Sequence, residues 1–375
     1  MPLRALARVN LAAIERNVAH LRGLLTGDAE LCAVVKADGY GHGAVPTARA
    51  ALAGGASWLG VATADEAAEL RAAGLGEPPI LVMGALSADE LPVALAAGAE
   101  VVAWSEAFVS ELIAAATDPV RVHVKLDTGL GRLGTRDLDG ALRVAALVGD
   151  AAPRLVLAGA MTHFATADEE DRAFVRLQLE RFAPFARELR RRHPEIVLHA
   201  ANSAATLNEP ASHFDLVRCG IAVYGLDPMQ EDGRDHGLEP ALELTSYVAA
   251  VKCATVGDSV GYGRRFVAER PTWIATLPIG YGDGVRRALT NNCDVLVGGR
   301  RYPLVGTVSM DNVTIAVGDQ PSVRPGEVAT IIGRDGEERQ SAEDLAARIE
   351  TINYEIVCGV SARVPRAYHH DGRAG

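Results

Sequence analysis

The chain has 375 residues, 49% of them hydrophobic, with a mean hydropathy of only +0.10 and a formal net charge of −11. That length allows one large domain with a smaller companion, or two of similar size, and no apolar run reaches membrane-spanning length. The acidic balance and scattered arginines exclude a basic face for nucleic acid. Five cysteines (Cys32, Cys219, Cys253, Cys293 and Cys358) form no C-x-x-C pair and are odd in number. Buried free thiols in a reducing cytoplasm fit them better than disulfides or a zinc site, so no metal is expected. Met1-Pro2-Leu3-Arg4 opens no apolar signal stretch, which points to the same compartment.

From about Leu11 to Leu226, short apolar runs alternate with longer segments of helical periodicity. Runs at 31–35, 57–62, 79–84, 100–103, 120–126, 155–162, 196–200 and 214–217 read as strands. The clearest helices are 64–71 and 168–189, each with acidic residues expected in its first turn and arginines toward its end. Eight strands alternating with helices predict either a (β/α)8 barrel or a doubly wound sheet. The count of eight, with no G-x-G-x-x-G after the first strand, favours the TIM-type barrel. Polar residues fall regularly on the strand exits: Lys36 after the first, and Lys125, Asp127 and Arg132 at or beyond the fifth. His163 follows the sixth, Asn202 and Ser203 the seventh, and Arg218 the eighth. Barrel enzymes build their sites at these C-terminal strand ends.

Near Asp227–Gly237 a polar, glycine-bearing connector changes the character of the chain. Beyond it, 242–253, 272–277, 293–297, 302–308, 313–317 and 328–332 read as strands of a small sandwich or barrel. One helix is expected at 341–352, with Ser341 and Asp344 marking its start. The division is therefore an α/β barrel domain over 9–232 and a C-terminal mainly-β domain over 233–375, with residues 1–8 adding a strand to the latter.

The first apolar run, Leu31-Cys32-Ala33-Val34-Val35, reads as a strand buried on both faces that delivers Lys36 to a loop with three glycines. A lysine there can snorkel to solvent, pair with an anion, or attack a carbonyl as a neutral amine. The unbroken run Ala33-Val34-Val35-Lys36-Ala37-Asp38-Gly39-Tyr40-Gly41-His42-Gly43 resembles the cofactor-lysine signature of alanine racemases, which hold pyridoxal 5'-phosphate as an imine. A second motif is His123-Val124-Lys125-Leu126-Asp127-Thr128-Gly129-Leu130-Gly131-Arg132-Leu133-Gly134. Read without the resemblance, its two cations need only Asp127 to hold them. Ser203, in Ala200-Ala201-Asn202-Ser203-Ala204-Ala205, can cap a helix or take a phosphate with the following amides. Gly220 and Ile221 would add amides where glycine lets backbone approach an anion. Alone, Arg218 reads as a salt-bridge partner and His163 as a core histidine.

The resemblance covers nearly the whole chain, in family order, and implies an alanine racemase active as a homodimer. Lys36 would bind the cofactor, and Tyr40, Asn202, Ser203, Gly220, Ile221 and Tyr354 would surround its phosphate. Arg218 resembles the partner of the pyridine nitrogen, with His163 bridging it to a catalytic tyrosine. Because arginine keeps its proton, the ring stays a restrained electron sink, which suits racemisation over transamination. Racemisation calls for two opposed acid/base groups, and the family's second base matches Tyr262 of Val260-Gly261-Tyr262-Gly263-Arg264-Arg265. A rival, Tyr281 of Ile279-Gly280-Tyr281-Gly282-Asp283-Gly284, fits the entrance or dimer interface better. In the family this tyrosine comes from the other subunit of a head-to-tail dimer, together with Met310, whose amide meets the substrate carboxylate, and the supporting Asp311. Arg132 resembles the residue holding that carboxylate and the cofactor's phenolic oxygen. Lys125 matches a lysine often carbamylated to position it. Many members carry cysteine and glutamine where Ser309 and Asn312 stand, which leaves the carboxylate pocket's shape open.

The implied role is interconversion of L- and D-alanine in the cytoplasm, supplying D-alanine for peptidoglycan. Alternatives are a racemase of the same fold for serine or a broad range of amino acids, and a non-catalytic pyridoxal phosphate carrier. A decarboxylase would want an acid where Arg218 stands, and a sugar-phosphate lyase with a Schiff-base lysine is more remote.

Overall fold

The computed structural model describes residues 3–374. Met1, Pro2 and Gly375, the outermost residues of the division given above, lie outside the described residues. A short strand, Leu6–Asn10 (β1), precedes the barrel. Eight parallel strands follow: Glu30–Val34 (β2), Trp58–Val61 (β3), Ile80–Val82 (β4), Glu100–Ala103 (β5), Val120–Lys125 (β6), Leu155–Met161 (β7), Val197–His199 (β8) and Leu216–Cys219 (β9). Their order is β8-β7-β6-β5-β4-β3-β2-β9. The two ends meet through Asp215 N donating to Leu198 O and Arg218 N donating to Ala201 O, both at 3.0 Å, so the sheet nearly closes. β3, β4, β5 and β9 are buried at every residue. Side chains fill their inner face and helices cover the outer one, which is why these strands read as apolar runs, broken only by the buried Glu100 and Arg218.

Most barrel boundaries shift by a residue or two from the sequence expectation, and three of the shifts have a visible cause. The first barrel strand stops at Val34, because Val35 has already turned (φ −114°, ψ 16°) and Ala37, Asp38, Gly39 and Tyr40 all take positive φ. The last begins at Leu216, since Phe214 has φ 47° and the Asp215 carboxylate accepts from Leu198 N at 2.7 Å. The long helix runs Ala173–Arg192 and has no acidic residue in its first turn. Its expected acidic start is instead a lead-in, where Asp171 Oδ1 accepts from Ala173 N at 2.8 Å.

The second half is mainly β. Leu242–Tyr247 (β10) pairs antiparallel with β1, whose other edge pairs parallel with Arg366–His370. On its far side β10 leads to Val328–Asp335, Asp294–Val297 and Arg300–Pro303. Strict alternation of burial along β10 marks a sheet with one face packed and one open. The apolar run at 242–253 breaks in two, and its second part, Ala250–Ala254, joins a separate sheet with Thr272–Leu277 and Val313–Gly318. The run at 302–308 keeps strand only to Pro303, and Gly306 (φ 78°) turns the chain. Ser341 and Asp344 form a reciprocal cap, but that helix ends at Arg348, ahead of Glu350 at φ 55°.

The connector is not a free linker. Asp227 is fully buried, its carboxylate accepts from Met229 N, and its carbonyl accepts from Asn353 Nδ2 at 2.8 Å. Asn353 Nδ2 also donates to Glu343 Oε1 at 2.8 Å. This buried polar knot fixes the start of a short helix, Asn353–Cys358, and with it Tyr354, whose ring lies 6.0 Å from that of Tyr40.

Candidate active site

A cavity of about 470 Å³ opens at the C-terminal ends of the barrel strands. Lys36, Lys125, Arg132 and Arg218 all line it, and among the described residues no carboxylate does. A roomier cleft of about 610 Å³ lies at the seam of the two halves, but three of its four arginines are already paired, Arg8 with Glu243 and both Arg234 and Arg339 with Asp232. An unpaired cationic surplus marks the barrel-end cavity as an anion site.

On one wall, Lys36 opens a turn of four successive left-handed residues, Ala37 (φ 53°), Asp38 (φ 52°), Gly39 (φ 60°) and Tyr40 (φ 52°). Three of them carry a Cβ, so the turn is strained and must be held from outside. Glu66 holds it: one carboxylate oxygen accepts from Ala37 N and the other from Ala62 N, both at 2.7 Å. Asp38 Oδ1 accepts from Ala44 N at 2.9 Å. Burial, then the nearby Arg132 charge, lower the Lys36 pKa and bring its amine closer to neutrality.

At the opposite end, Ser203 Oγ accepts from Gly220 N at 2.9 Å. The helix cap is Asn202, whose side chain accepts from Ala205 N at 3.0 Å, so the capping role weighed for Ser203 falls one residue earlier. Gly220 passes directly under Tyr40: a Cβ there would sit 2.4 Å from the Tyr40 Oη. Ile221 and Tyr354 complete this end. It gathers backbone amides and hydroxyls without opposing charge, a setting suited to phosphate.

Between the two ends lies Arg218, only 3% exposed. Its Nη1 donates to His199 Nδ1 at 2.9 Å, and its Nη2 donates to Thr162 O and Ala200 O at 2.9 Å and to His163 Nδ1 at 3.2 Å. Its Nε has no partner among the described residues. Burial pushes this guanidinium down to about 10, so it still carries its charge at neutral pH. His163, half-buried, is held far below its usual range by desolvation and by the charges of Arg218, Lys125, Arg132 and Lys36, and is neutral.

Lys125 and Arg132 are not held by Asp127, contrary to their ligand-free reading. Asp127 accepts instead from Gly129 N, Gly131 N and Arg136 Nε. Burial, aided by Arg218 and Arg132, pushes Lys125 down to about 8. Arg132 is exposed at the cavity mouth.

Four residues named from sequence lie elsewhere. Tyr262 is 75% exposed, Met310 52% and Tyr281 43%, and none lines this cavity. Asp311 is tied to Arg363 at 2.6 Å and to Arg4 at 3.4 Å. Two contributors escaped the sequence reading. Thr63-x-x-Glu66 is a visible capping box, but its second use on the Lys36 turn is long-range. Cys358 lines the cavity four residues after Tyr354, on the same face of a helix too short to announce itself.

Comparison with known proteins agrees with this geometry. A family model described as "Alanine racemase, N-terminal domain" matches residues 9–228, and "Alanine racemase, C-terminal domain" matches 241–368. Alanine racemase of Thermobifida fusca is 44% identical over 96% of this chain and 97% of its own length. Alanine racemase 1 of Bacillus subtilis is 40% identical over 98% and 93%. The crystal structure of alanine racemase from a D-cycloserine-producing Streptomyces lavendulae superposes with a TM-score of 0.92, at 38% identity and 98% coverage of both chains. With a nearly closed barrel, a mainly-β second half and full-length similarity, the chain belongs to the alanine racemase family.

Proposed function

We propose that this protein interconverts L- and D-alanine, using pyridoxal 5'-phosphate held in the barrel-end cavity of a homodimer. The observation that carries the reading is one cavity joining a depressed-pKa lysine, a phosphate-suited end and an unpartnered Arg218 Nε between them. When bound, the cofactor supplies a ring that withdraws electrons and acidifies the substrate Cα–H. Lys36 would hold its aldehyde end, while Tyr40, Asn202, Ser203, Gly220, Ile221 and Tyr354 would surround its phosphate. The orphaned, buried Arg218 Nε fits a ring-nitrogen acceptor. Because that guanidinium only donates, it gives up no proton to the ring and limits how far negative charge spreads. This favours simple return of a proton over transamination.

Lys36 Nζ would remove or return the Cα proton on one face. Proton transfer on the opposite face needs a second group, and His163 is neutral and tied to Arg218. Tyr262 of a second copy fills this role in our reading, which its exposure outside its own cavity supports. Met310 would arrive on the same surface and offer its amide to the substrate carboxylate, with Asp311 anchoring that loop through Arg363. Arg132 would face the carboxylate from the barrel side. Lys125, near 8, is neutral often enough to take up carbon dioxide, and the resulting carbamate would orient Arg132.

The domain division at 9–232 and 233–375 is supported by the β1–β10 pairing, which returns the N-terminal strand to the second half. All five cysteines are free, but Cys253 and Cys358 are exposed rather than buried as expected; free thiols of both kinds support work in a reducing cytoplasm, where D-alanine would feed peptidoglycan. The test is incubation of purified protein with pyridoxal phosphate and L-alanine in deuterated water. We expect deuterium at Cα together with D-alanine; cofactor uptake with neither label nor inversion would refute the reading.

A further inference from the structure

Arg218 is a fully buried cation that no carboxylate touches among the described residues, an arrangement that ordinarily costs several kilocalories unless charge is balanced elsewhere. A path to such a charge leads through the barrel. His199, the last residue of β8, faces His123 of β6, with His199 Nε2 and His123 Nδ1 2.7 Å apart. His123 Nε2 in turn lies 2.7 Å from Glu100 Oε2. Glu100 is the first residue of β5, and its other oxygen accepts from the half-exposed Arg121 at the N-terminal rim of the barrel. The path thus runs from that rim to the cavity at the other end.

Its direction is fixed by chemistry. Arginine only donates, so His199 Nδ1 must accept. A neutral His199 then carries its proton on Nε2 and donates to His123 Nδ1. His123 carries its own on Nε2 and donates to the carboxylate. Burial and the Arg218 charge hold His199 far below its usual range, which agrees with a neutral ring. Glu100 is lowered despite a burial effect that raises it, because the His123 bond and Arg121 outweigh burial. The barrel also makes room for the path: a Cβ on Gly159 of β7 would lie 2.1 Å from His123 Nδ1, and the β6–β7 register shifts between Val122 and His123.

We propose that Glu100, His123 and His199 form a one-way hydrogen-bond chain through the barrel interior that positions Arg218, with Glu100 as its remote counter-charge. Each imidazole is made a stronger acceptor by the group behind it, as carboxylates strengthen metal-binding histidines. Arg218 is thereby locked with Nη1 and Nη2 engaged and Nε free for the cavity. The three are positioning residues, since only Arg218 reaches the cavity.

Neutron diffraction from crystals of the holoenzyme tests the chain without a variant. We expect deuterons on Nε2 of both His199 and His123 and none on their Nδ1 atoms. A doubly protonated ring, or a deuteron on either Nδ1, overturns the proposal. A second test rests on the pyridoxal phosphate reading and compares Glu100→Gln with Glu30→Gln. The exposed Glu30 lies at the same end of the barrel and accepts from Ser57 and from Trp58, whose ring packs edge-on 5.8 Å from His123, so it perturbs packing at that rim without touching the chain's hydrogen bonds. Glu100→Gln should shift the absorption maximum of bound cofactor and lower kcat roughly tenfold with little change in KM, while Glu30→Gln leaves both as in wild type. An unchanged spectrum in Glu100→Gln, or the same change in Glu30→Gln, counts against positioning. If Glu100→Gln does not fold, the diffraction result decides. If wild-type protein takes up no cofactor, that reading falls, and the proton positions in crystals of the cofactor-free protein still judge the chain.

Discussion

Lys36 is a lysine whose amine burial and Arg132 have moved toward neutrality, at the lip of a cavity whose other basic lining residues are Lys125, Arg132, Arg218 and the neutral His163. Lys36→Ala should abolish the visible absorption of bound pyridoxal phosphate along with turnover; retained absorption would remove the lysine from its role. Tyr262→Phe should keep that absorption. Exchange of the Cα proton of L-alanine into deuterated water should slow by about 10²–10⁴, far more than exchange from D-alanine. Equal slowing of both would argue against opposed bases. A different residue governs acid stability. Burial lowers His42 from 6.5 to about 4 in the folded protein. As pH falls through that window the unfolded chain takes up a proton the folded one refuses, so stability drops with pH. Denaturant titrations of His42→Asn from pH 6.5 to 4 should show a slope shallower by about 1.4 kcal/mol per pH unit. An unaltered slope would mean that His42 is already protonated in the fold.

At the scale of elements, the turn between β2 and the following helix carries the strain of the site, and the helix starting at Ala64 bears it. Glu66 serves two elements at once, its own N-terminus and the Lys36 turn. Thr63→Ala removes one cap bond and should cost about 1 kcal/mol of stability with little effect on kcat. Glu66→Ala should cost more, about 2 kcal/mol, and lower kcat as the turn relaxes. Urea unfolding and steady-state rates on the two variants separate these outcomes, and equal effects on kcat would deny Glu66 its second role. The barrel strands were legible in sequence because their C-terminal parts are buried on both faces, leaving runs rich in Val, Ile, Leu and Ala bounded by polar exits. The helix at Ala173–Arg192 was misplaced at its start because an acidic cluster serves equally well as a first turn or as a lead-in. Local sequence does not distinguish the two.

For the whole molecule, the decisive feature is that one chain carries Lys36 in its cavity and Tyr262 on an exposed surface. If two copies share their sites, mixing inactive Lys36→Ala with inactive Tyr262→Phe protein and letting subunits exchange should restore racemisation. Each mixed dimer would hold one site with both residues intact. Random pairing then predicts about a quarter of wild-type activity, from half the dimers having one working site of two. No recovery, with subunit exchange demonstrated by mass, would mean that each chain works alone.

The sequence by itself determined the barrel, the strand exits on which Lys36, Lys125, His163, Ser203 and Arg218 stand, and the mainly-β character of the second half. Those features follow from short-range pattern: apolar runs, glycine-rich exits and caps whose partners lie a few residues away. It did not determine the left-handed turn after Lys36, the buried knot that carries Tyr354 to the cavity, or the path from Glu100 to Arg218. Each depends on groups far apart in sequence, such as Ala37 with Glu66, Asp227 with Asn353, and His123 with His199. A histidine in a strand reads the same whether it fills space or relays a hydrogen bond. Only tertiary packing, by choosing which buried donor meets which acceptor, decided between them.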